Sequence, residues 1–176
     1  GELGGTDAQV GIAVSSFGLA AACIRPVIGP LGDRHGRQRL IVSGAIVAGL
    51  ATIATATATS LGMVIAFRAL AGLGEAAVFV GAASAAQDLA TDERRGEAAS
   101  YFSLAIYSSL FLGPPLGEWI SETFGNDTAW VLAGGLAVLA ASTGIVAPGA
   151  PAETPPKPER RVLLHRAALR PGAVLF

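Results

Sequence analysis

Charge and sulfur are both scarce in this sequence. Of its 176 residues, 14% are charged and one is cysteine. A soluble domain carries about 25% charged residues. A deficit of this size, with 52% hydrophobic residues gathered in long runs, points to lipid as the solvent. Cys23 alone excludes an internal disulfide and a cysteine-based metal site. A net charge of -1 leaves no basic footprint for nucleic acid, so none is expected as a partner. No charged segment followed by a short apolar stretch and a cleavage site occurs, so no signal peptide is read. The sequence also lacks a nucleophile–base set, a metal-ligand cluster and a phosphate-cradling glycine loop with a lysine. Neither an enzyme nor a cofactor is therefore expected. His35 and His165 sit far apart in basic segments, where solvation is the default. The only methionine is Met63, and both ends of the chain are expected to lie inside a longer protein.

What is abundant is Ala, Val, Leu and Ile, with 23 Gly among them. Glycine lets membrane helices approach closely. A helix needs about 20 mostly apolar residues to cross the hydrocarbon core. On that length the chain offers five candidate spans: Ala8–Leu31, Leu40–Thr59, Leu61–Ala86, Ala98–Trp119 and Ala129–Ala147. The fold class expected is all-α, a polytopic membrane bundle occupying residues 1–149. The alternation in ATIATATATS resembles a strand, but a lone strand cannot satisfy its backbone in lipid. Its threonine hydroxyls can instead bond back to carbonyls one turn earlier.

Charge sets the orientation. Of the 12 Lys and Arg, all but Arg25 and Arg68 fall in alternate connecting segments. The positive-inside rule makes that side cytoplasmic. Glu2, Asp7, Glu118, Glu122 and Asp127 then lie outside. Trp119 and Trp130 fall at the outer interface, where indoles favour the headgroup level. This topology puts the N-terminus outside and predicts a further helix before it. Residues 150–170 are Pro-rich and then basic, which reads as an extended cytoplasmic linker. RRVLLHRAALR within it fits either a surface-lying amphipathic helix or a solvated connector. Residues 171–176 read as the start of another membrane helix.

Three segments carry more than apolarity. In GPLGDRHGRQRLI, Gly29 and Gly36 flank Asp33 and Arg34, and Arg37 and Arg39 follow. The plain reading is a positive-inside turn. In FRALAGLGEAA, Arg68 lies well inside an apolar run, and Glu75 follows about two helical turns later, ~10 Å along the same face. Ionisable groups at that depth are expensive in lipid and should face a cavity or a partner; a structural tether is the plain alternative. In SLFLGPPLGEW, Pro114 and Pro115 remove backbone donors and would open the helix locally. Gly113 and Gly117 form a small-residue face for close helix contact.

These segments resemble the major facilitator superfamily. Its signature loop reads G-x-L-[GA]-D-R-x-G-R-[RK]-x-x-[LI], and Gly29, Leu31, Gly32, Asp33, Arg34, Gly36 and Arg37 match, with Gln38 in place of a basic residue. Its fourth-helix motif, R-x-x-Q-G-x-G-A, is matched by Arg68, Gly72 and Gly74, with Ala71 and Glu75 as departures. Its fifth-helix antiporter motif is matched by Gly113, Pro114 and Gly117, but Ser109 and Glu118 replace glycines. The resemblance covers nearly the whole chain and implies helices two to six of the N-terminal half. It implies a secondary transporter of small molecules in a bacterial inner membrane, working by alternating access. Proton-coupled efflux is the form expected, with protons, the lipid bilayer and a C-terminal half as partners. It further implies a gating cluster of Asp33, Arg37 and Asp88, and a cavity lined by Arg68 and Glu75. A sugar or organic-acid symporter is the alternative within transport. A non-transporting scaffold or receptor is the alternative outside it, disfavoured by the cost of Arg68 in lipid.

Overall fold

The computed structural model describes residues 6–146, which form five long helices and one short 3-10 turn. They are α1 (Asp7–His35), α2 (Arg37–Thr55), α3 (Leu61–Asp88), α4 (Arg95–Phe124) and α5 (Asn126–Val146), with the 3-10 turn Asp92–Arg94 before α4. The linker and terminal segment expected over 150–176 lie outside the described residues. The helices α1, α2 and α3 are each long and apolar enough to cross a membrane. At 19 residues α2 is the shortest of the five, ~28 Å at 1.5 Å per residue, close to the thickness of the hydrocarbon core. The sequence predicts five such spans. Length supports all five, but α4 dilutes its apolar residues with Ser, Tyr, Gly, Pro and Glu118.

The helix ends show where local chemistry overrides apolarity. Helix α1 does not stop at Leu31 but runs on to His35. The charged segment is therefore mostly helical, and the expected turn shrinks to Gly36. Gly36 has φ 90 and its N–H bonds to the Gly32 carbonyl at 2.9 Å, a left-handed conformation that glycine adopts without steric cost. At its other end α2 stops at Thr55 rather than Thr59. Ser60 caps α3 there, its hydroxyl accepting from the Met63 N–H at 3.3 Å, so the preceding residues form the reversal. Thr52 and Thr55 donate to the carbonyls of Ala48 and Ala51, the back-bonding that lets threonine sit in an apolar helix. Before α4, Arg94 grips Glu97 through two bonds of 2.8 and 3.0 Å. That contact holds the Glu97 carboxyl below its ordinary value, as a hydrogen-bonded cation favours the charged form.

Packing is led by small residues. Most of the buried apolar positions are alanines, among them Ala21, Ala51, Ala71, Ala76 and Ala141. Helix α3 lies against both α1 and α2, and α2 lies against α5. At the α2–α3 crossing, a Cβ on Gly44 would stand 2.7 Å from both the Gly74 carbonyl oxygen and the Ala77 Cβ. At the α2–α5 crossing, a Cβ on Gly49 would stand 2.7 Å from the Gly134 carbonyl oxygen. Backbones this close gain dispersion over a continuous strip, the main source of helix association in lipid. A cluster of Ile28, Leu40 and Ala77, with Ile24 and Val80, closes the end where α1 passes into α2. Helix α4 has no buried residue.

Candidate functional site

The end of the bundle where α1 meets α2 gathers the charged segment. Gly36 reverses the chain, so Asp33, in the last turn of α1, stands four residues before Arg37, which starts α2. Arg37 reaches across to the last residue of α3: its Nε stands 2.6 Å from Asp88 Oδ2. Its Nη2 stands 3.8 Å from Asp33 Oδ1. Both contacts are ion pairs, the first close and the second near the outer limit for such a contact. Asp33 and Arg37 also border a shallow groove with Gly29, Gly32, Leu40, Val80, Gly81 and Ser84. Arg34 is exposed and makes no ion pair among those found in the described residues. Gln38 donates from Nε2 to the Gly144 carbonyl at 2.8 Å. Thus one end of the bundle ties α1, α2, α3 and α5 together.

The two ionisable residues inside α3 go to different partners. Arg68 lies over two aromatic faces, with Cζ 4.9 Å from the Phe17 centroid in α1 and 5.5 Å from that of Trp130 in α5. Cation–π contact supplies about 0.5–2 kcal/mol according to desolvation, and the guanidinium links three helices with no carboxylate partner among the described residues. Trp130, near the start of α5, faces Arg68. Glu75 sits between buried Gly74 and Ala76 and pairs with Arg25 of α1, Nη2 to Oε2, at 3.6 Å. Arg25 also lies 4.5 Å over the Phe79 ring, and Phe79 meets Phe102 of α4 edge to face.

The Major Facilitator Superfamily model matches residues 1–176. This chain belongs to the major facilitator superfamily. The quinolone resistance protein NorA of Staphylococcus aureus is 26% identical over 145 residues, which is 82% of this chain and 37% of NorA. Multidrug resistance protein 1 of Bacillus subtilis is 27% identical over 150 residues, 85% of this chain and 38% of that protein. The chain thus spans little more than a third of the length of these curated relatives. Among solved structures, a bacterial homolog of the human lysosomal transporter Spinster, inward-facing and unoccupied, superposes with a TM-score of 0.72 at 21% identity. That match covers 96% of this chain and 42% of the homolog. The chain is accordingly a membrane protein of a transporter family.

Within the superfamily pattern, the structure brings Asp33, Arg37 and Asp88 together and leaves Arg34 at the surface. Gly29 and Gly36 serve the groove and the reversal. The fifth-helix residues behave differently from expectation. Helix α4 continues through Pro114 and Pro115, and a Cβ on Gly113 or Gly117 meets nothing within 4 Å. Those glycines make no close helix contact among the described residues. The prolines withhold N–H groups from the Leu110 and Phe111 carbonyls without ending the helix. Two residues escaped the sequence reading. Arg25 carried the same signal as Arg68, an arginine inside an apolar run, and was set aside as an exception to the charge pattern. Gln38 was a departure from the motif, and its carbonyl partner lies 106 positions away. Among the described residues, no group of three His, Cys, Asp or Glu could hold a metal ion.

Proposed function

We propose that this chain is most of the N-terminal half of a secondary transporter in a bacterial inner membrane, exporting small molecules in exchange for protons by alternating access. Its helices would be the second to sixth of that half. A C-terminal half would complete the translocation path, as in proteins related by an internal repeat. The observation that carries the reading is the convergence of Arg37 with Asp88 at 2.6 Å and Asp33 at 3.8 Å. These charges join the α1–α2 reversal to the end of α3. A cluster of exposed pairs is too weak to hold a fold, yet strong enough to bias two conformations a few kcal/mol apart. Asp33, Arg37 and Asp88 are therefore assigned to closing the cytoplasmic side, with Gly29, Arg34 and Gly36 shaping it. Arg68 and Glu75 are assigned to the cavity, with Glu75 as the residue that exchanges a proton. Efflux draws support from the names of NorA and multidrug resistance protein 1.

The test is transport by the full-length protein in proteoliposomes under an imposed pH gradient. Substrate movement that follows the gradient's sign, and stops in Asp33→Asn, is the expected result. Transport indifferent to the gradient would remove the proton from the mechanism. Uptake as a sugar or organic-acid symporter is the second reading. Ser109 and Glu118, standing where the antiporter motif has glycines, favour it; solute and proton moving in the same direction would select it.

A further inference from the structure

We propose that Gln38 is a positioning residue that clamps the last turn of α5 to the start of α2, so that the end of α5 stays fixed to the bundle when the Arg37 charges part. Arg37 and Gln38 are neighbours in sequence that serve different helices. Arg37 Nε stands 2.6 Å from Asp88 Oδ2 at the end of α3, and Gln38 Nε2 donates to the Gly144 carbonyl in the last turn of α5 at 2.8 Å. One turn later the division repeats. A Cβ on Gly81 of α3 would stand 2.8 Å from Ile41 Cγ1, and one on Gly144 would stand 3.1 Å from Val42 Cγ2. Residues four apart share a helix face, so Arg37 and Ile41 form a stripe toward α3, and Gln38 and Val42 form one toward α5. Ile41 reaches both, since a Cβ on Gly144 would also stand 3.7 Å from its Cγ2. The start of α2 is a wedge, tied to α3 by charge and to α5 by a neutral amide.

The Gly144 carbonyl needs a donor. Carbonyls in the last turn of a helix have no intrahelical N–H, and a side chain from elsewhere can supply one. Gln38 does so from a second helix, in a half-buried bond between positions 106 apart. Glycine at 144 opens the way, since a side chain there would press on Val42. The superfamily pattern has a basic residue at position 38. A cation would also be drawn to the negative end of α5, but salt would screen that attraction. It would compete with Arg37 for Asp33 and Asp88 as well. An amide avoids both. It donates in a fixed direction and carries no charge, so neither salt nor the state of the acids dislodges it. The charge cluster can open while α5 keeps its place on α2. This role in gating rests on the transporter reading above, whereas the clamp rests on the contacts themselves.

The experiment is hydrogen–deuterium exchange of the full-length protein in lipid nanodiscs, read by peptide mass spectrometry at the last turns of α5 and α3. Gln38→Met keeps the length and loses the donor, so the α5 amides should exchange about fivefold faster and the α3 amides at the wild-type rate. Arg37→Ala should do the reverse. Gln38→Lys restores a donor with a charge, so its α5 amides should exchange slowly at about 50 mM salt and faster at about 1 M. Unchanged α5 exchange in Gln38→Met overturns the proposal. Gln38→Lys that exchanges as fast as Gln38→Met at low salt overturns it too, and makes residue 38 a packing residue. Should the variants not fold, the wild type decides alone. Between the two salt concentrations its α3 amides should speed up and its α5 amides should not; α5 amides that follow the salt overturn the clamp. Transport is scored separately in proteoliposomes, where Gln38→Met should lower the maximal rate about threefold and leave half-saturation unchanged. Gln38→Met that loosens α5 yet transports at the wild-type rate overturns the role in gating. A wild type that moves nothing while the exchange order holds refutes the transporter reading and leaves the clamp standing.

Discussion

Removal of the Arg37 guanidinium tests the charge cluster most directly. Arg37 is 27% exposed at its side chain and Asp88 37%, so their 2.6 Å contact is neither buried nor fully wet. Screening at that exposure leaves about 1 kcal/mol of coupling, the upper range for surface pairs. The Asp33 arm is longer, at 3.8 Å, with Asp33 46% exposed, and should add about half as much. Arg37→Ala then shifts an equilibrium between closed and open cytoplasmic sides by ~1.5 kcal/mol, which is about tenfold. Ser84 lines the groove beside Asp33 and Arg37 and is the place to read the change. In full-length protein with Cys23→Ala and Ser84→Cys, labelling by an impermeant maleimide from the cytoplasmic side should speed up about tenfold when Arg37→Ala is added. A double-mutant cycle with Asp88→Asn should return about 1 kcal/mol of coupling, and one with Asp33→Asn less. If the Asp88 cycle is additive within ~0.3 kcal/mol and labelling is unchanged, the charges form a positive-inside surface and the gating role falls.

Other expectations follow from the same geometry. Gly49→Val places a side chain against the Gly134 carbonyl and should reduce the folded yield in detergent, with about 1–3 kcal/mol of overpacking; Gly113→Ala, with nothing within 4 Å, should leave yield unchanged. Phe17→Leu removes one of two rings from Arg68 and should lower thermal stability by about 1 kcal/mol; an unchanged melting curve would show that Arg68 does not use that face. Arg68→Ala should abolish transport with expression retained, and loss of expression would make Arg68 structural instead. Glu75→Gln should flatten the pH dependence of transport, and an unaltered profile would take Glu75 out of proton exchange. Cysteines replacing Arg37 and Arg95 should be shielded from an external impermeant maleimide in intact cells while one replacing Glu122 is labelled; labelling at the Arg37 position would invert the orientation.

Helix number, membrane class and family were legible because they depend on periodic apolarity and on short-range patterns. The reversal at Gly36 needed only residues within one turn of each other. Helix ends were less legible. His35 continues α1 because the charged stretch satisfies its own backbone as helix, and Thr55 ends α2 because Ser60 needs the next residues for the turn. Partners were least legible. Arg68 and Glu75 share a helix face by spacing, yet Arg68 turns to Phe17 and Trp130 while Glu75 turns to Arg25. Spacing within one helix says which face a residue occupies. It carries no information about what a neighbouring helix presents there. Asp88 was found because the superfamily pattern pointed to it, whereas Arg25 has no place in that pattern and was missed.

The forces that hold this bundle and those that would let it move are separated along its length. Through its middle, α2 meets α3 and α5 at glycines whose backbones touch. Contacts of that kind have one good register, because sliding either helix drives a neighbouring side chain into carbonyl oxygen. At its end the links are ion pairs and one amide hydrogen bond, each about 1 kcal/mol and each able to exchange with water. A conformational change that broke the glycine crossings would lose several such strips at once. One that broke only Arg37–Asp88 and Arg37–Asp33 would lose little. The motion this bundle can support is therefore movement as a unit, with its charged end released and α1, α2, α3 and α5 keeping their registers. Such behaviour is what the proposed alternating access by rocking halves requires, and under that proposal weak charges, rather than a strong core contact, are what a closing end needs.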